Sequence, residues 1–218
     1  MPIILILVFT PLISFSEQES PDELNESRPS LFWDHLYTHG GWTLYCGLKF
    51  VQPGLSQEQF TITIDHIYPL DSMLKAQNCD SRMQCHDSDN KKFLQMESDL
   101  HNQYPVLLDL NNSLRLSEYG EIDGENWRFE NCDFERTRGI IEPRPLARGN
   151  IARAIFYMHS RYNLPVNHKQ LQILMEWNRQ DPPSAQEQIR NDRIEIVQGR
   201  RNPYIDNPSI AESLAINQ

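Results

Sequence analysis

Positive charge, long apolar runs and internal linkers are all scarce in this chain of 218 residues, which carries 20 Lys and Arg against 30 Asp and Glu for a net charge of −10. That balance excludes an evenly basic surface, so any attraction for a polyanion must come from a local positive face. The apolar run from Ile3 to Phe9 falls well short of the roughly 20 residues that span a bilayer. No Gly/Ser- or Pro-rich stretch divides the interior and no segment repeats, which favours one folded domain. Neither H-E-x-x-H nor G-x-S-x-G occurs, which removes two common hydrolase signatures. Cysteines number only four.

What is present suits a sizeable core: 39% of residues are hydrophobic and 10% aromatic. The first sixteen residues, MPIILILVFTPLISFS, hold no charged side chain and read as an export signal. Ser14 and Ser16 are small enough for a signal peptidase, so cleavage before Glu17 is expected. Residues 17–30 then form an acidic linker, residues 31–206 the domain, and residues 207–218 a C-terminal tail.

In an exported chain, four cysteines suggest two disulfides with three possible connectivities. Cys79 and Cys85 enclose only five residues and are read as one pair, which leaves Cys46 with Cys132. The competing reading is a metal site built from Cys79, Cys85 and His86. An oxidising compartment disfavours it, and no second pair at zinc-ligand spacing follows. Charge is also unevenly spread. Residues 140–205 hold ten Lys and Arg against six Asp and Glu, whereas residues 1–139 hold ten against 22.

Residues 60–70, FTITIDHIYPL, alternate Phe60, Ile62 and Ile64 against Thr61 and Thr63, which predicts a strand ending at Asp65-His66. WTLYCGLKF at 42–50 reads as a strand or a buried helix end, and NWRFENCDF at 126–134 as a second strand. MESDLHNQYPVL predicts a helix with Ser98 as cap and Pro105 as breaker. From Arg148, the spacing of Ile151, Ile155, Met158 and Tyr162 gives one face of an amphipathic helix. Two further helices are expected at 168–178 and 186–199, the second stopped by Gly199. The class is α+β, with a helix-rich C-terminal part.

Asp65-His66 pairs a carboxylate that suits a hard cation with an imidazole that can deprotonate water. Glu97 and Asn111 offer further oxygen donors, and Asp99 and Asn102 read as turn and cap residues. The order DHIYP, C-x5-C, MESDLHN-x-YPV, Asn111, EPRPLARGNIARAIFYM, W-N-R-x-D-P and RNDRI-x-x-VQGRRNPY resembles the endonuclease I family over roughly Leu31 to Tyr204. These are periplasmic and secreted non-specific nucleases of the ββα-metal (His-Me finger) class.

The resemblance implies a metal-dependent endonuclease acting on DNA, and on RNA where the 2′-hydroxyl is tolerated; a monomer is the default expectation. It would leave 5′-phosphate products and have no stable membrane association after signal cleavage. It implies His66 as general base, Asp65 and Asn111 as ligands of Mg²⁺ (or Mn²⁺ or Ca²⁺), and Glu97 as an active-site carboxylate. It further implies Arg82 at the scissile phosphate and Arg144, Arg148 and Arg153 as nucleic-acid-binding residues, some of which could instead brace the fold through salt bridges. Two departures stand out. Asp65 replaces the usual Glu, and Asn112-Ser113-Leu114 follow Asn111 where the family has a more polar run. The alternative is a catalytically weakened nucleic-acid-binding protein on the same fold.

Overall fold

The computed structural model of the chain describes residues 31–51, 61–111 and 118–215. The expected signal and linker, Phe60, and the Asn112-Ser113-Leu114 run lie outside the described residues.

Among the described residues the fold is a mixed α+β arrangement with three small sheets and a helical C-terminal half. Strands β1 (Gly41–Trp42) and β2 (Lys49–Phe50) form a two-residue ladder, so residues 42–50 are mostly a turn that carries Tyr45 and Cys46 inward. Strand β3 (Ile62–His66) pairs antiparallel with β4 (Gln103–Leu107). Helices α1 (Leu70–Ala76), α2 (Arg82–Asp87) and α3 (Lys91–Glu97) lie between these two strands in sequence, and α4 (Leu108–Asn111) follows β4 directly. The third sheet has the order β5 (Glu118–Tyr119), β7 (Ile140–Pro143), β6 (Phe134–Thr137). Helices α5 (Pro145–Tyr162), α6 (His168–Gln180), α7 (Ala185–Gln198) and α8 (Pro203–Asp206) complete the core, and a 3₁₀ segment at Pro208–Ala215 packs Ala211 against it. None of the described helices is long and apolar enough to cross a membrane.

Two expected elements differ from the structure. The segment read as one helix over MESDLHNQYPVL is the end of α3, a 3₁₀ turn at Leu100–Asn102, and then β4. Ser98 terminates a helix instead of starting one, and its Oγ donates back to the Leu94 carbonyl at 2.7 Å. Pairing with β3 overrides local helix preference here. Pro105 sits inside β4 opposite Ile64, at a position whose missing N–H faces away from β3, while its carbonyl accepts the Leu44 N–H at 2.9 Å. The second strand expected at 126–134 is only a bridge between Phe129 and Cys132, because Asn131 turns the chain at φ +59°. Strand β6 begins at Phe134.

Helix α5 buries the predicted face of Ile151, Ile155, Met158 and Tyr162. It starts three residues before Arg148, with Pro145 at its first position, and ends at Asn163 in the left-handed region. Ser184 caps α7 by accepting the Glu187 N–H at 3.2 Å, and Gly199 closes it at φ +71°. Disulfides join Cys46 to Cys132 and Cys79 to Cys85. The first closes a loop of 86 residues, worth roughly 4–5 kcal/mol in the chain-entropy model.

Arg153 clamps α5, α6 and α7 together. Its guanidinium makes a bidentate pair with Glu187 at 2.7 and 2.5 Å, and Nη1 reaches the Asn178 side chain and the Asp181 carbonyl. Both charged groups are 0% exposed. Gly149, one turn earlier, lets the end of α6 approach: a Cβ there would lie 1.9 Å from the Asp181 carbonyl oxygen. Gly149→Ala is therefore expected to cost roughly 1–3 kcal/mol by overpacking, in spite of alanine's better helix propensity. Denaturant unfolding reads this directly, and an unchanged midpoint would contradict the close approach.

His101 is buried in the 3₁₀ turn, with Nε2 donating to the Arg200 carbonyl at 3.1 Å and Nδ1 without a partner. Burial pushes its pKa down to about 4. The unfolded chain takes up that proton near pH 6.5, whereas the native state resists it until about pH 4, so acid favours unfolding across this window. The expected loss approaches about 3 kcal/mol. His101→Gln should flatten the stability profile between pH 6.5 and 4 relative to wild type, and parallel profiles would remove His101 as the cause.

Candidate active site

The register of β3 on β4 decides which side chains meet. Asp65 lies opposite Tyr104 and His66 opposite Gln103. Paired residues share a face and successive residues alternate, so the carboxylate and the imidazole leave the strand on opposite sides. Both retain some exposure to solvent.

On the His66 face, α3 ends at Glu97, whose main-chain carbonyl is one of the four that a helix C-terminus leaves without an intrahelical partner. That oxygen takes His66 Nε2 at 2.6 Å and Gln103 Nε2 at 3.0 Å. A carbonyl only accepts, so His66 carries its proton on Nε2 and leaves Nδ1 as the basic nitrogen. Burial is the main influence on His66 and lowers its pKa; the Glu97 carbonyl opposes this more weakly. The ring is therefore neutral at neutral pH.

The Glu97 carboxylate is nearly buried. Arg82 Nε donates to Oε1, and His86 Nε2 lies 2.8 Å from Oε2. Both partners come from α2, which Ser81 caps by accepting the Gln84 N–H and the Cys79–Cys85 bridge ties to the preceding turn. The Arg82 side chain is 63% exposed, so its outer nitrogens face solvent beside the imidazole's support.

On the opposite face, Asp65 meets two tyrosines. Tyr45 Oη lies 3.3 Å from Asp65 Oδ2 and 2.9 Å from Tyr119 Oη, and Tyr119 Oη lies 3.2 Å from the Ile67 carbonyl, so two hydroxyl hydrogens serve three contacts. Burial raises Asp65 to about 7, and neither the His66 N–H nor Tyr45 offsets it. No cation pairs with Asp65 among the described residues. Asn111, at the end of α4, donates its amide N–H to the Ile64 carbonyl at 3.4 Å, on the edge of β3 that β4 leaves free. That bond leaves the amide oxygen, an acceptor that can also ligate a cation, unused.

The three arginines of α5 and its N-cap divide. Arg153 fits the bracing alternative: it is fully buried and its guanidinium is taken by Glu187, Asn178 and Asp181. Arg148 is mostly spent as well, paired with Glu142 and stacked over Trp177 at 5.4 Å. Arg144 donates Nε to the Leu44 carbonyl at 3.0 Å and lines an open cavity.

Four contributors were not singled out from sequence: Gln103, Tyr45, Tyr119 and, for this purpose, His86. Gln103 acquires its role only through the strand pairing. His86 carried a signal, its place beside Cys85, but one that pointed to thiolate metal binding.

The tautomer is testable by ¹⁵N NMR of the His66 ring at neutral pH, which should show Nε2 protonated and Nδ1 bare. The reverse assignment would rule out the Glu97 carbonyl as the orienting group.

The family profile described as Endonuclease I matches residues 26–209. An extracellular deoxyribonuclease of Aeromonas hydrophila is 28% identical over 223 residues, covering 92% of this chain and 93% of that protein. A periplasmic deoxyribonuclease of the same organism is 33% identical over 53% of this chain and 50% of its own length. An extracellular ribonuclease of Bacillus amyloliquefaciens is 34% identical over 54% of this chain and 46% of its own length.

Proposed function

Because the chain belongs to the endonuclease I family, we propose that it is an exported endonuclease that hydrolyses DNA and RNA backbones with His66 as general base, on a ββα-metal site formed by β3, β4 and α4. The observation that carries this reading is the short bond from His66 Nε2 to the Glu97 carbonyl at 2.6 Å. It fixes the tautomer whose free Nδ1 can take a proton from water, and burial keeps that nitrogen unprotonated at neutral pH.

The donor set suits a hard divalent cation. Asp65 is a desolvated carboxylate without a cationic partner among the described residues, and Asn111 turns its N–H away and keeps an amide oxygen. Among those residues no group of three His, Cys, Asp or Glu is arranged to hold a metal ion; with Asp65 and Asn111 the protein would supply two donors and water the remainder, as Mg²⁺ accepts. Bound there, Mg²⁺, Mn²⁺ or Ca²⁺ would supply positive charge to the phosphodiester oxygens.

The chain's own residues do the remaining work. His66 Nδ1 receives the proton of the attacking water. Arg82, anchored through Nε on Glu97, presents its other nitrogens to the scissile phosphate and stabilises charge that develops there. Glu97 holds both partners, the base through its backbone and the arginine through its side chain. The products carry a 5′-phosphate. All these contacts address phosphate or water, so little sequence preference is expected. The deoxyribonuclease and ribonuclease names of the relatives fit a site indifferent to the sugar. Their extracellular and periplasmic names support export.

The test is cleavage of plasmid DNA and of RNA by the oxidised protein, with Mg²⁺ or EDTA, beside His66→Ala. Cleavage should stop in EDTA and fall at least about 10²-fold in the variant. Binding without cleavage, or a variant as fast as wild type, would overturn the reading.

A further inference from the structure

A cavity of about 430 Å³ opens between the β1–β2 ladder, the start of α5 and the face of α7, away from His66. That volume falls within the range of small-ligand sites. Its lining holds Lys49, Arg144, Arg190 and Arg193. None of these makes an ion pair with a carboxylate among the described residues. Arg144 bonds the Leu44 carbonyl, Arg193 the Leu36 carbonyl, and Lys49 lies 5.8 Å from the centre of the Trp42 ring. The one carboxylate in the lining, Glu187, is already consumed by Arg153. By contrast, Arg148, Arg153, Arg179 and Arg201 are each paired with acids.

Arg190 is the strongest signal. It is only 8% exposed, and its partners are neutral oxygens: the carbonyls of Leu100 and Gln103 and the Tyr37 hydroxyl. The Tyr104 ring lies 4.1 Å beneath it. Its Nη1, itself closed off from solvent, has no hydrogen-bond partner among the described residues. A buried cation with a free donor, beside an open cavity lined by further unpaired cations, is half of a charge pair. The missing half is an anion. The rim adds exposed apolar surface from Trp42, Leu146 and Ile189, which suits the face of a base.

We propose that this cavity is a second nucleic-acid site, which takes a nucleotide phosphate on the Arg190–Arg193 floor and the attached base against Trp42. The nuclease reading supplies only the source of the ligand: a phosphorylated fragment end, or a phosphate within a strand held away from the scissile bond.

The experiment is calorimetric titration of the full chain carrying His66→Ala, in EDTA so that nothing is cut. The probes are inorganic phosphate, thymidine, thymidine 5′-monophosphate and a short oligothymidylate. The monophosphate or the oligonucleotide should saturate and thymidine should not. Saturation by the monophosphate identifies fragment ends, and saturation by the oligonucleotide alone identifies internal phosphates. Arg193→Ala and Lys49→Ala should each weaken the bound probe about tenfold, the scale of one charged contact. Trp42→Ala should weaken nucleotide binding and leave inorganic phosphate unchanged. Arg190 is left intact, because it also holds the Leu100 and Gln103 carbonyls. Failure of every phosphate probe at millimolar concentration, or affinities unmoved by Arg193→Ala and Lys49→Ala, would overturn the proposal. Metal-dependent cleavage would stand or fall separately.

Discussion

The register between β3 and β4 is the constraint on which the remaining geometry depends. Setting His66 opposite Gln103 puts both side chains on the oxygen of Glu97, and setting Asp65 opposite Tyr104 sends the carboxylate to the tyrosines. A slip of one residue would exchange the two faces and leave the imidazole without its carbonyl. Two features hold the register. Leu108 N–H donates to the Thr61 carbonyl at one end, and Ile67 N–H to the Asn102 carbonyl at the other. Asn102 then clamps the exit from β3 by exchanging two hydrogen bonds with the Tyr68 backbone, at 2.6 and 3.1 Å.

Buried charge follows one rule with two open cases. Arg153 and Glu187 meet inside the helical layer with their hydrogen bonds saturated, and this closed pair holds three helices in place. Asp65 and Arg190 have no such partner. One is a half-buried carboxylate raised to about 7 by desolvation; the other is a buried guanidinium with an idle nitrogen. Desolvating a charge without a counter-charge costs several kcal/mol, so the fold retains both at the expense of stability. The two proposals would supply the opposite sign to each: a cation held with Asn111, and an anion in the cavity.

The sequence was informative where a local pattern coincides with a tertiary role. Strand β3 was legible because Ile62 and Ile64 alternate with Thr61 and Thr63, even though all five of its residues are half-buried in the fold, and α5 because Ile151, Ile155, Met158 and Tyr162 face one core. Strand β4 was not. QYPVL contains a proline and follows a helix directly, and only the presence of β3 and Leu44 on its two sides makes it a strand. Asp65, His66, Arg82, Glu97 and Asn111 were nameable through family motifs, but their supports were not, because Gln103 and Tyr119 join the site across 37 and 54 residues of chain counted from His66 and Asp65. Arg153 shows why a basic-looking segment leaves two readings open, phosphate contact or internal brace. Its position along α5 turns it toward Glu187 and away from solvent, which favours the brace.

The net charge of −10 also looks less contradictory once distances are considered. At physiological ionic strength the field of an exposed charge decays over about 8 Å, so a phosphate at one surface responds to the groups beside it and not to the sum over the molecule. Arg82 and the cluster around Arg190 both provide local cations that protein acids do not fully neutralise. On the proposed mechanism the exception is Asp65, a carboxylate on the same strand as His66 but on its other face, which would repel an approaching phosphate until neutralised. A divalent cation would do more than neutralise it: the pair would become net positive, and a repulsive spot an attractive one. On that reading the cation would act on binding as well as on chemistry, and substrate and metal should each strengthen the other's hold on the site.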